Sequence, residues 1–284
     1  MAGPAAAARG GRGRPPRRGA RALAAGVLIA AGAAAAAGPA GAAPAGPGTR
    51  IIGGRPAAEG AYPWMVRLGF GASGQCGGSL VSPDIVITAH HCLEYAKGLT
   101  ADIGRVRWKD AEPAGARRTS TPDRWRLGGG PKVGDWAVVR LDRPYAGAAP
   151  VALPRDGALD AAPAFRALGW GHTEPTGSPN SETLNEVDLP LVGQNRCPDF
   201  NGKKEGWEIC AGDWDNGGID SCTNDSGGPL IARDGERWVL VGIVSWGWGC
   251  AQKQRPGHYV AVSRRLAQLR AAIVELGGQP PPGW

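Results

Sequence analysis

Apolar residues come in short runs along most of this chain: Trp64–Leu68, Ser79–Val81, Ile85–Thr88, Trp136–Leu141, Ala164–Leu168, Leu230–Ala232, Val239–Ser245 and Tyr259–Val262. The runs are rich in β-branched and aromatic residues and are set apart by Gly, Pro, Asn and Asp. Runs of this make-up predict strands, and their spacing predicts an all-β sandwich or barrel. One stretch has another period. After Ser263, a favourable N-cap, Leu266, Leu269, Ile273 and Leu276 recur at helical spacing until Gly277 and Gly278 stop them, which predicts a helix over about 264–276. The charged stretch Arg107–Lys132 has few apolar residues and reads as surface loops, and Gln279–Trp284 reads as a loose Pro-rich tail. Pro150–Arg155 is the natural link between two halves.

The N-terminal fifty residues differ in kind. An Arg-rich stretch to Arg21 is followed by an apolar one from Ala22 to Ala37 and by small residues around Ala40-Gly41-Ala42-Ala43. This order is that of an export signal over 1–43, cleaved after Ala42 or Ala43. Arg17-Arg18 lacks the apolar pair that a twin-arginine route needs after it, so the choice of export route stays open. The leader also changes the meaning of the net charge of +7. Seven of the arginines lie within the first fifty residues, which carry no acid or lysine, so 25 basic and 25 acidic residues remain from Ile51 onward. A balanced body gives no reason to bind nucleic acid, and no later apolar run is long enough to span a membrane.

Export leads to an oxidising compartment, and the chain has six cysteines with no CxxC pair. Three disulfides are therefore expected rather than a metal site, with fifteen pairings open. Hydrolysing an amide without a metal needs a nucleophile, a base and donors for the developing oxyanion. His91 lies in Thr88-Ala89-His90-His91-Cys92, where a cysteine can clamp the loop. Ser226 lies in Asp220-Ser221-Cys222-Thr223-Asn224-Asp225-Ser226-Gly227-Gly228-Pro229, where two glycines let the backbone present a hydroxyl beside N–H groups. Asp135 precedes the apolar run Trp136–Leu141, well placed to orient an imidazole.

These boxes resemble those of trypsin-like serine proteases of the chymotrypsin family. The resemblance runs from Ile51-Ile52-Gly53-Gly54 through Gly169-Trp170-Gly171 and Ser245-Trp246-Gly247 to the last helix. The chain order His, Asp, Ser also separates it from α/β-hydrolases. The resemblance implies two packed antiparallel six-stranded β-barrels, about 51–150 and about 155–262, within a peptidase domain over 51–278. It implies Ser226 as nucleophile, His91 as general base and acid, Asp135 as its orienting partner, and the N–H groups of Asn224 and Ser226 as the oxyanion hole. The implied disulfides are Cys76–Cys92, Cys197–Cys210 and Cys222–Cys250. Asp220 would lie at the base of the primary pocket, with Ser221, Ser245, Trp246, Gly247 and Gly257 around it. A buried carboxylate there favours Arg or Lys before the cut.

Activation is implied at Arg50-Ile51, after a short propeptide 44–50. The freed amine would pair with Asp225, and Arg50 suits the enzyme's own pocket. Since His91 must be neutral to act as base, a bell-shaped rate profile with a mildly alkaline optimum is expected. The expected partners are protein or peptide substrates and protein protease inhibitors, and the expected state is an extracellular monomer. No dense carboxylate cluster lies between the His and Asp boxes, so neither a metal nor a cofactor is expected. The Arg-heavy, Ala/Gly-rich composition fits a GC-rich bacterial genome, such as an actinomycete's.

The sequence departs from the family pattern at four positions. Asn224 replaces glycine where the backbone can need φ > 0, His90 replaces a small residue, Ile52 replaces Val, and His258 stands where a β-branched residue is common and reads as packing. Adjacent side chains diverge, so His90 and His91 do not read as a metal pair. The alternative function is a secreted binding protein that keeps the fold without turnover, with Asn224 the only feature in its favour.

Overall fold

The computed structural model describes residues 51–70, 74–94, 99–109, 118–120, 122–127, 134–197 and 207–282, all within one unit of the chain, Pro44–Trp284. The leader and propeptide expected over 1–50, with Arg50, lie outside the described residues.

A two-residue strand β1 (Arg55–Pro56) precedes a sheet built from β2 (Met65–Phe70), β3 (Gly74–Ser82), β4 (Ile85–Thr88), β5 (Thr100–Ile103), β6 (Arg118–Ser120), β7 (Pro122–Leu127) and β8 (Ala137–Leu141). Its order is β6-β5-β2-β3-β4-β8-β7, a half-barrel by its ladders. Only residue 121 separates β6 from β7, so the run 118–127 supplies both edges of the sheet. This corrects the expectation of loops over Arg107–Lys132. Ladder hydrogen bonds to β5 on one side and β8 on the other fix an extended backbone whatever the polarity of the sequence.

The second sheet comprises β9 (Ala164–Gly169), β10 (Asn185–Val192), β11 (Glu208–Ala211), β12 (Pro229–Asp234), β13 (Arg237–Trp246) and β14 (Gly257–Ala261), with β1 paired onto β10. Pairing of β10 with β9, from Asn185↔Gly169 to Pro190↔Ala164, closes six strands into a barrel, as expected. Its interior holds Phe165, Val187, Leu189, Ile209, Leu230 and Val241. A second core fills the first sheet with Leu68, Leu80, Ile87 and Val138. That core continues through Leu168, Ile231, Leu240 and Ile243 of the second sheet, so the two sheets share apolar contact. The link between them is bonded to both: Val151 N–H donates to Leu80 O at 2.9 Å, and Leu240 N–H donates to Ala152 O at 2.9 Å.

Helix α1 (Leu266–Glu275) follows a 3₁₀ turn, Val262–Arg265, and buries Leu269, Ala272 and Ile273. Ser263 is not its N-cap. The hydroxyl donates to Asp160 Oδ2 at 2.5 Å instead, and the helix begins one turn later without a side-chain cap. The C-terminus ends as expected, with Gly277 at φ 66° and N–H bonds from Gly277 to Val274 O and from Gly278 to Ile273 O. Beyond it, Gln279 N–H donates to Asp84 Oδ1 at 3.0 Å and Pro281 is buried, which ties down the start of a tail expected to be loose.

Candidate active site

His91 sits in a 3₁₀ turn, His90–Cys92, just after β4. The disulfide Cys76–Cys92 ties this turn to β3 across a separation of 16 residues. Asp135, 1% exposed, meets His91 twice: Oδ1 accepts the His91 backbone N–H at 2.9 Å, and Oδ2 lies 2.6 Å from Nδ1. Ser245 of β13 donates to the same Oδ2 at 2.7 Å. Burial works to raise the Asp135 carboxyl, and the His91 and Ser245 hydrogen bonds outweigh it, holding the group below its ordinary range. An ionised acceptor at Nδ1 keeps the proton on that nitrogen and leaves Nε2 basic. The side chain of His91 remains 35% exposed, so that nitrogen is reachable.

Ser226 lies on the loop that leads into β12. Gly77 of β3 donates its N–H to Ser226 O at 2.8 Å, which fastens this loop of the second barrel to the first sheet. Beneath it, Asp225 is fully buried and accepts from Gly171 N–H at 2.7 Å and Cys222 N–H at 2.9 Å. Burial pushes its carboxyl up to about 7, against the pull of those two donors. A Cβ on Gly169 would sit 1.9 Å from Asp225 Oδ1, so the carboxylate occupies the space of a missing side chain. Asn224 adopts φ 72° and donates Nδ2–H to Asn180 Oδ1 at 2.7 Å. Among the described residues no carbonyl accepts from the N–H of Asn224 or Ser226.

These elements surround a cavity of about 530 Å³ lined by His91, Ser226, Asn224, Asp220, Ser221, Ser245, Trp246, Gly247 and Gly257, and flanked by Cys76–Cys92 and Cys222–Cys250. Asp220 is 2% exposed; Oδ2 accepts Ala251 N–H at 3.0 Å, and Oδ1 has no hydrogen-bond partner among the described residues. Burial pushes this carboxyl up to about 7, with the Ala251 N–H working the other way. Ser221 is engaged, its Oγ 3.0 Å from the Tyr259 hydroxyl. Gly257 leaves the room that Asp220 uses, since a Cβ there would lie 2.5 Å from Oδ1.

Behind the wall of the cavity lies a polar group that sequence reasoning did not find. Glu208 of β11 accepts from Trp246 Nε1 at 3.0 Å and lies 2.9 Å from His258 Nδ1. The His258 ring stacks on Trp246 with centroids 3.7 Å apart. His258 is therefore paired with an acid rather than packed as an aliphatic substitute would be. Two cysteine–histidine groups, Cys76/His91/Cys92 and Cys197/Cys210/His258, have metal-like proximity. In each, both sulfurs are used in a disulfide, the second being Cys197–Cys210, so no thiolate is present to bind an ion.

The family model for trypsin matches residues 51–269. A trypsin-like protease of Streptomyces glaucescens is 36% identical over 235 residues, covering 80% of this chain and 84% of that protein. The chain belongs to the trypsin family. As a trypsin-family serine endopeptidase it acts on protein substrates, and the three disulfides found pair the six cysteines as the resemblance implied. Of the residues singled out from the sequence of this trypsin-like protein, thirteen line one cavity, four of them the cysteines Cys76, Cys92, Cys222 and Cys250. Asp135 and Asp225 lie behind it, and Ile51 is buried in the core of the second barrel.

Proposed function

We propose that this protease hydrolyses peptide bonds after Arg or Lys through an acyl-enzyme, and that it is an exported precursor cut at Arg50-Ile51. Ser226 Oγ attacks the scissile carbonyl while His91 Nε2 takes its proton. Asp135, held ionised by its donors, stabilises the imidazolium that forms. The N–H groups of Asn224 and Ser226 receive the oxyanion. His91 returns the proton to the leaving amine, and water then repeats the sequence to release the acid. This is the general template for the family, applied to these positions.

The observation that carries the specificity is the unpartnered Oδ1 of Asp220, buried at the cavity lining. A buried carboxylate with one oxygen unbonded is matched by a guanidinium or ammonium and left unpaired by a neutral side chain.

Asp225 supports the activation reading. Among the described residues the carboxylate is bonded by backbone donors alone, and a freed α-amine at Ile51 would bring the opposite charge. Pairing would raise the amine above its usual value of about 7.7–8.0, so this contribution is present below that value and is lost as pH rises through the folded one. The three disulfides fit an oxidising destination. No helix among the described residues is long and apolar enough to cross a membrane. We take the secreted enzyme to be a monomer open to protein inhibitors that present Arg or Lys.

The test is hydrolysis of matched Arg, Lys and citrulline peptide anilides by the disulfide-bonded protein cleaved before Ile51, with Ser226→Ala as control. Turnover of the two cationic substrates alone, abolished in the control, is the expected result. A folded, cleaved protein that turns over none of them would instead be a binding protein.

A further inference from the structure

Asn224 carries a burden that glycine would not. With φ at 72° it occupies the left-handed region, which an L side chain enters only at a steric cost and which glycine enters freely. Relaxing that strain means rotating the peptide between Thr223 and Asn224, and the same rotation would swing the Asn224 N–H out of the cleft. Something must oppose it.

Part of the opposition is at the carbonyl of that same peptide, where Thr223 O accepts from His172 N–H. Among the described residues one side-chain bond fastens Asn224 itself, Nδ2–H donating to Asn180 Oδ1 at 2.7 Å, across 44 residues of sequence. Asn180 belongs to the segment between β9 and β10, which is itself anchored at both ends. His172 N–H donates to Thr223 O at 2.9 Å, and Ser181 N–H donates to Trp170 O at 2.9 Å. The acceptor is thus presented by a segment bonded to the residue next to Asn224, and Asn180 is not among the residues lining the cavity.

We propose that Asn180 is a positioning residue for the reaction: by holding the Asn224 carboxamide it keeps the Asn224 N–H aimed at the oxyanion. The inference rests on the oxyanion role given to Asn224 above. Because the oxyanion develops in the transition state, loss of this hold lowers kcat and leaves substrate binding nearly unchanged.

The experiment is a double-mutant cycle of Asn180→Ala and Asn224→Gly in the cleaved enzyme. Active sites are counted by burst titration, so that misfolded protein does not enter kcat. Loss of a whole oxyanion donor costs roughly 10²–10³ in kcat, so its partial misalignment in Asn180→Ala should cost at least about tenfold, with KM within about twofold. In the Asn224→Gly background, where glycine holds φ > 0 unaided, the same Asn180→Ala change should alter kcat by less than about twofold. Equal losses in both backgrounds would assign Asn180 a merely structural role and overturn the proposal, as would no loss in the first. If the unsubstituted enzyme gives no burst at all, the hydrolytic reading itself fails, and this inference falls with it.

Discussion

Ser245 in β13 donates its hydroxyl to Asp135, just ahead of β8, at 2.7 Å, so the carboxylate bonded to His91 is held from both sheets. Removing the donor leaves a buried carboxylate with one partner fewer. Ser245→Ala should cost about 1.5–3 kcal/mol at neutral pH, the usual range for a hydrogen bond to a charged group. The folded-state carboxyl of Asp135 lies below its ordinary value, so its stabilisation is present above that value and is lost as pH falls through the folded one. The difference in Tm between the two proteins should therefore shrink in acid. A difference independent of pH would contradict this account.

Asp220 sets a second pH dependence. With no substrate bound its carboxyl ionises near 7. In the proposed pocket the carboxylate would then be anionic and draw a cation above that value, and be neutral below it. KM for an Arg anilide should rise as pH falls through about 7, while KM for a neutral-residue ester stays level. Asp220→Ser should lower kcat/KM on Arg substrates by roughly 10⁴, the scale on which a site built around one polar contact rejects its absence.

Gly169→Ala tests the seat of Asp225. The new methyl would fall 1.9 Å from Oδ1, and the carboxylate, fully buried, has nowhere to retreat. Overpacking of this kind costs about 1–3 kcal/mol or more, and displacing Asp225 also unseats Ser226. Thermal unfolding should register the first effect and active-site titration the second. A variant with unchanged Tm would mean that the loop yields easily.

Cleavage before Ile51 should reverse a pH trend. In the intact chain the Asp225 carboxyl lies near 7 against an ordinary 3.8. Its contribution is then full below the ordinary value and declines as pH rises toward 7. Pairing with the freed amine would invert this by stabilising the ionised carboxylate. The Tm of cleaved Ser226→Ala protein minus that of the uncleaved form should grow from acid to neutral pH and diminish once the amine deprotonates. A flat difference would argue against an Asp225 ion pair.

The residues proposed for the site stand out in the sequence because Ser, His and Asp recur in distinctive boxes, and the structure brings His91, Ser226 and Asp220 to one cavity. Strands with clean apolar runs are legible too: the run Ile85–Thr88 is β4 itself. Others were hidden because their extended form comes from neighbours. The segment 118–127 is recruited by ladders on two sides, and β1 is two residues paired onto β10. Glu208 gives no signal in the sequence, since a lone acid between Trp207 and Ile209 is ordinary, and only the fold brings it between Trp246 and His258. Ser263 looked like a cap because its type is right, but Asp160, 103 residues away in sequence, takes its hydroxyl.

The stitched connector has one more consequence. Were the enzyme to cut after arginine, as proposed, copies of itself would meet Arg155, which stands exposed where the halves join. To be digested there, the chain would have to peel loose and lie extended in another molecule's cleft. Val151 and Ala152 are pinned to opposite barrels and leave no slack for it. Those two backbone bonds would then shield the joint from autolysis.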